Sequence, residues 1–107
     1  MDRTENLAVL IPCLNEEKSI YQVVTAFQIS LPQAQIYVYD NGSSDSTYEQ
    51  ALESGASVRM HPQTGKGNVV RRMFAEIDAD YYIIIDGDNT YDPADAPSLL
   101  KKLLEEN

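Results

Sequence analysis

YYIIIDGDNTYDP, residues 81–93, sets an unbroken apolar run directly against the acidic pair of Asp86-Gly87-Asp88. A strand covered on both faces reads as such a run, whereas a half-solvated strand alternates. Leu7–Ile11 (LAVLI) has the same continuous character. Gln35–Tyr39 and Ser57–Met60 complete four strand candidates, the last of which is Tyr81–Ile85. Helical stripes lie between and after them: Ile20, Val23, Val24 and Phe27; the shorter Tyr48, Ala51 and Leu52; Val70, Met73, Phe74 and Ile77; and Leu99, Leu100, Leu103 and Leu104. Each repeats at the three- and four-residue spacing of one helix face. Ser46 with Glu49 forms a candidate capping box, and Asp92-Pro93 or Asp95 can open the last helix, with Pro97 blurring its start. The order β-α-β-α-β-α-β-α predicts an α/β, Rossmann-like domain with a mostly parallel sheet flanked by helices. In such sheets ligands bind beyond the carboxyl ends of the strands.

Bulk properties narrow the function. A chain of 107 residues suits one domain, residues 1–107, with 43% hydrophobic residues to build its core. Seventeen acidic against eight basic residues give a formal charge of −9, which speaks against nucleic acid as a partner. An anionic ligand then needs a local exception, either a metal ion or helix N-termini. Cys13 is the single cysteine and fits a reduced, cytoplasmic setting as a small buried hydrophobe. No secretory leader and no transmembrane run is legible in this chain.

Polar residues gather where the strands end. Asn15, Glu16 and Glu17 follow the first, Asp40-Asn41-Gly42-Ser43-Ser44-Asp45 the second, Thr64-Gly65-Lys66-Gly67-Asn68 the third and Asp86-Gly87-Asp88 the fourth. In extended chain Asp86 and Asp88 point the same way, and Gly87 leaves the space between them open. Two carboxylates with open positions suit Mg²⁺ or Mn²⁺ bridging to a diphosphate, although Asp and Gly are equally at home in a solvated turn. Asp40 is placed either to accept hydrogen bonds from a base or ribose or to cap its own turn. Gly65-Lys66-Gly67 is not a Walker A loop, since Met60 and Gly67 stand where Gly and Ser or Thr belong, but it can still hold an anion at a helix start. Glu16 and Glu17 are expected in the first turn of the first helix, where acids suit the dipole. His61, the only histidine, is expected on a surface loop.

PCLNEE, YDNGSSDST, GKGNVVRR and DGDNTYDP, in that order and over nearly the whole chain, resemble the family 2 glycosyltransferases of GT-A fold, most of all their polyprenyl-phosphate (dolichol-phosphate) mannosyl- and glucosyltransferase branch. The resemblance implies a UDP- or GDP-linked sugar donor and a divalent metal. It places Pro12, Leu14 and Glu16 against the nucleoside, Asp40 on the base or ribose with Val38 beside it, and Lys66 near the donor phosphates. It makes Asp86, Gly87 and Asp88 the DXD-like element, Asp88 the leading metal ligand and Thr90 a neighbour. Asn41 and Leu14 depart from the usual acid and aromatic of the family. Family members continue beyond this length, so the chain is expected to be the donor-binding half, with the acceptor site and catalytic base elsewhere. A lipid phosphate is the expected acceptor and the inner membrane face the expected place of work. An uncovered sheet edge would favour homo-oligomers.

Three other readings compete. A nucleotide-sugar-binding module without turnover would use the same donor motifs. A phospho-receiver domain would need an acidic pair after strand one and a phospho-acceptor aspartate after strand three, where HPQTGKG stands instead. A sugar-phosphate nucleotidyltransferase would want a Gly-rich, Arg-containing loop in place of PCLNEE.

Overall fold

The computed structural model describes residues 6–61 and 66–85, with the backbone alone for 66–68. Seven elements follow one another: β1 (Leu7–Cys13), α1 (Ile20–Ser30), β2 (Gln35–Asp40), α2 (Thr47–Ser54), β3 (Ser57–Met60), α3 (Lys66–Glu76) and β4 (Tyr81–Ile84). The strands form one parallel sheet in the order β3-β2-β1-β4. All four carboxyl ends therefore lie along one edge, as the alternating order predicts. The expected eighth element, the helix carrying Leu99 to Leu104, lies outside the described residues.

The sheet order explains why β1 reads as an apolar run. All seven of its residues are buried. Leu7, Val9, Ile11 and Cys13 join a core with Ile20, Val23, Val24 and Phe27 of α1 and Ala51 of α2. Ala8 and Leu10 join a second core with Val69, Met73 and Ile77 on the other face. Alternate residues thus serve opposite layers, and neither set can be polar.

β1 runs two residues past its expected end. It stays in register with β2 as far as Cys13 opposite Asp40, whereas its described pairing with β4 stops at Leu10 opposite Ile84. Ile85 N–H still reaches the Leu10 carbonyl at 3.0 Å, so Leu10 turns its backbone toward β4. Pro12, two residues on, turns the same way, and its missing N–H removes no bond to β2. A proline is tolerated in this central strand because its nitrogen faces the β4 side, beyond the last described pair, Leu10 opposite Ile84. The strand order reverses between β1 and β4.

Two helix stripes differ from their predicted phase. In α3, Val69 is buried beside Met73, whereas Phe74 is 48% exposed and meets Tyr82 edge-on, 4.9 Å between ring centroids. In α2, Thr47, Ala51 and Ser54 face inward and Leu52 is exposed. Ser54 is accommodated because its hydroxyl donates to the Ala51 carbonyl at 2.5 Å. Gly55, in the left-handed region at φ 92°, then ends the helix.

A polar clamp holds α3 to the sheet. Tyr39 hydroxyl donates to Glu76 Oε1 at 2.5 Å, Arg59 reaches the same oxygen at 3.0 Å, and Arg72 reaches Oε2 at 3.0 Å. These hydrogen bonds, first Tyr39's and then Arg72's, hold the Glu76 carboxyl down at about 2 against an ordinary 4.5. Burial and the Glu76 bond push the Tyr39 phenol up to about 12. A depressed carboxyl stabilises the fold above its unfolded value and loses that contribution as pH falls toward the folded one. Between pH 4.5 and 2 the wild type should therefore lose melting temperature more steeply than Glu76→Gln. Parallel acid-melting curves for the two proteins would show the clamp to be ineffective.

Candidate functional site

Among the described residues, the loops after β1 and β2 carry a dense polar network at the carboxyl edge. Asp40, the last residue of β2, is fully buried. Its Oδ1 accepts the Ser43 N–H at 2.9 Å and the Ser43 hydroxyl at 2.6 Å. Oδ2 is closed from solvent and has no hydrogen-bond partner among the described residues. A buried carboxylate oxygen in that condition is costly unless a partner arrives.

Asn15 ties the two loops together. Its backbone is left-handed at φ 56°, a conformation asparagine tolerates better than most residues. Asn15 N–H donates to Ser43 Oγ at 2.8 Å, and Asn15 Oδ1 accepts the Ser44 N–H at 2.9 Å. One step along, Glu16 N–H donates to Thr47 Oγ1 at 2.8 Å, and the Thr47 hydroxyl donates to Asp45 Oδ1. Ser46 N–H donates to Glu17 Oε1 at 3.0 Å.

This bonding revises three expectations. The Ser46–Glu49 capping box does not form, since the Ser46 side chain makes no cap bond and Asp45 Oδ1 accepts the Thr47 N–H at 2.9 Å instead. Burial pushes the Asp45 carboxyl up, but the Thr47 hydroxyl and N–H and the Glu17 N–H bring it below its ordinary range on balance. Glu16 and Glu17 precede α1 rather than occupying its first turn, where no acid lies. The Glu16 carbonyl accepts the N–H groups of Ser19 and Ile20, so this loop folds the turn from which the helix starts. His61 is buried rather than on the surface, its N–H donating to the Asp40 carbonyl at 2.8 Å.

The structure brings Pro12, Leu14, Glu16 and Asp40 to one edge. Pro12 is buried at the strand end, Leu14 is 49% exposed, and Glu16 is half-buried. Val38 lies two residues before Asp40, fully buried in the core shared with α1. Lys66 is the first residue of α3, and its side chain lies outside the described residues. Asp86, Gly87, Asp88 and Thr90 also lie outside them; Ile85, the last described residue before them, lies beside β1 at the reversal of strand order. Among the described residues, no group of three His, Cys, Asp or Glu side chains could hold a metal. Burial, then the nearby Asp40, Glu16 and Asp45, push the Cys13 thiol up to about 12, so it stays neutral and unreactive. Sequence reading missed Asn15, Ser43 and Thr47 as organisers of the site. Asparagine beside a strand end and a serine-rich loop were the only signals.

Residues 8–107 match the family described as glycosyl transferase family 2. Protein RfbJ of Shigella flexneri is 51% identical over 100 residues, spanning 94% of this chain and 78% of that protein. Glycosyltransferase AglJ of Haloferax volcanii is 35% identical over 106 residues, 98% of this chain but only 35% of AglJ. Among solved structures, glucosyl-3-phosphoglycerate synthase of Mycobacterium tuberculosis superimposes with a TM-score of 0.85 at 29% identity, covering 95% of this chain and 42% of the synthase. The same synthase has been solved with Mn²⁺, UDP-glucose and phosphoglyceric acid, and that structure superimposes with a TM-score of 0.83.

Proposed function

The chain belongs to glycosyl transferase family 2, and from that premise we propose that it supplies the donor-binding part of a hexosyltransferase, which takes a sugar from a UDP- or GDP-linked donor. The observation that carries this reading is the state of Asp40. It is fully buried at the carboxyl edge, one oxygen saturated by Ser43 and the other lacking a partner among the described residues. That oxygen suits an N–H or O–H of a base or ribose. Leu14, exposed one residue beyond β1, offers apolar surface for a base to lie on.

Asp86 and Asp88 would hold Mg²⁺ or Mn²⁺, with Gly87 leaving the backbone open to the donor. Two hard oxygen donors fit such a cation, which keeps other positions for phosphate oxygens. When bound, the cation would neutralise the donor diphosphate and stabilise the charge on the departing nucleotide. The metal also answers the charge problem, since a chain at −9 has little of its own to offer a diphosphate. Lys66 and the N–H groups at the start of α3 supply the remaining positive potential. A binding module without turnover would share every one of these donor contacts.

Phosphate is common to the acceptor implied by the resemblance, a polyprenyl phosphate, and to the phosphoglyceric acid held by the synthase. We read the acceptor as a phosphorylated molecule and the place of work as the cytoplasm, peripheral at the membrane. No helix among the described residues is long and apolar enough to cross a membrane.

Calorimetric titration of the chain with UDP, GDP, UDP-glucose and GDP-mannose, each with and without Mn²⁺, tests the donor reading. Binding of one nucleotide series, tightened by Mn²⁺, is expected. Heat-silent titrations throughout would remove it. Sugar release or transfer by the same chain separates a transferase from a donor-binding module.

A further inference from the structure

Resting on the reading of Asp40 as a nucleoside-binding carboxylate, we propose that Ser43 and Asn15 are positioning residues acting through Asp40, which present its Oδ2 alone to a single N–H or O–H donor of the nucleoside. A serine hydroxyl has one hydrogen and two lone pairs. Asn15 N–H occupies a lone pair of Ser43 Oγ at 2.8 Å, which directs the hydroxyl hydrogen to Asp40 Oδ1 at 2.6 Å. The Ser43 N–H adds a second donor to that oxygen at 2.9 Å.

The terminal torsion of an aspartate is broad and its two oxygens are chemically alike, so an unheld carboxylate would roll between them. Two donors on Oδ1 remove that freedom and leave Oδ2 in a fixed place. Asn15 is itself locked, because its Oδ1 accepts the Ser44 N–H at 2.9 Å while its backbone sits at φ 56°. The relay thus runs from the loop after β1, through Ser43, to a carboxylate at the end of β2. Neither Asn15 nor Ser43 needs to touch the ligand.

The donor on the ligand is either the imide N3–H of uracil or the ribose 2′-hydroxyl, and N3-methyl-UDP and 2′-deoxy-UDP tell them apart. Titration of the wild-type chain with UDP and both analogues should show one analogue binding at least about tenfold more weakly than UDP. In Ser43→Ala, UDP should weaken to within about threefold of that analogue, whose own affinity should hardly change, the signature of coupling in a double-mutant cycle. Ser43→Thr, which keeps the hydroxyl, should restore the difference, and circular dichroism should show all variants folded. A Ser43→Ala protein that weakens UDP and both analogues equally would overturn the positioning role while leaving the nucleotide site intact. Wild-type affinities equal for all three ligands would overturn it too. Should the chain bind GDP and not UDP, N1-methyl-GDP and 2′-deoxy-GDP take the place of the uridine analogues; binding of neither nucleotide would instead remove the nucleotide site on which the inference rests.

Discussion

Phe27→Ala is expected to destabilise the fold by about 3–5 kcal/mol, the range for truncating a fully buried aromatic ring. Phe27 has no exposed surface and packs within the core that α1 shares with β1, β2 and β4. Nothing on α1 can collapse into the space, because β1 beneath it is buried along its whole length. Single domains are stable by only about 5–15 kcal/mol, so this one change should remove a large share and lower the melting temperature by roughly 15 °C or more. Ile29 is the internal control. It lies on the same helix but is 81% exposed, and Ile29→Ala should fall within about 0.5 kcal/mol of wild type. Denaturant midpoints for the two variants decide the matter. Equal midpoints would mean that α1 does not cover the sheet.

That contrast marks what the sequence makes legible. Ile20, Val23, Val24 and Phe27 were readable as a buried stripe because all four positions are apolar, leaving one possible phase. α3 was harder. Val69, Val70, Met73 and Phe74 offer two stripes of similar quality, and Tyr82 on β4 settles the choice by taking Phe74 edge-on at the margin. Such a contact joins a helix to the strand that follows it and leaves no periodic trace. α2 was misread for another reason. Its inward face includes Thr47 and Ser54, whose hydroxyls are satisfied locally, so burial there has no apolar signature.

The site divides the same way. Asp40 stood out because an acid at the end of an apolar strand is conspicuous. Asn15 and Ser43 did not, since serine and asparagine are ordinary in turns, and their roles depend on two loops meeting across the sheet edge. The capping box failed for a related reason. Asp45 competes with Ser46 for the start of α2 and prevails because Thr47 turns both its N–H and its hydroxyl to it, while Ser46 N–H goes to Glu17. Local motifs therefore locate the edge, whereas pairing between loops selects which residues shape it.

Asp88→Ala should abolish the Mn²⁺-dependent part of nucleotide binding, an expected loss of at least about tenfold, or ~1.4 kcal/mol. The argument is one of sign as well as size. Without metal, two carboxylates after β4 repel a diphosphate, so removing one should leave UDP affinity in chelator unchanged or raise it. With Mn²⁺, the same carboxylate becomes a ligand and its loss should weaken binding. The two affinity orders should therefore cross: the variant matches or exceeds wild type in chelator and falls below it in Mn²⁺. General damage to the fold cannot produce that crossing, because it would weaken binding in both conditions. Asp86→Ala should show the same pattern to a smaller degree, since Asp88 is the leading ligand. Isothermal titration of UDP into the wild type and both variants, in chelator and in Mn²⁺, supplies the six affinities required. If Asp88→Ala keeps the full Mn²⁺ enhancement, the cation is held elsewhere, and the reading of Asp86-Gly87-Asp88 as a metal-binding element gives way to that of an ordinary turn.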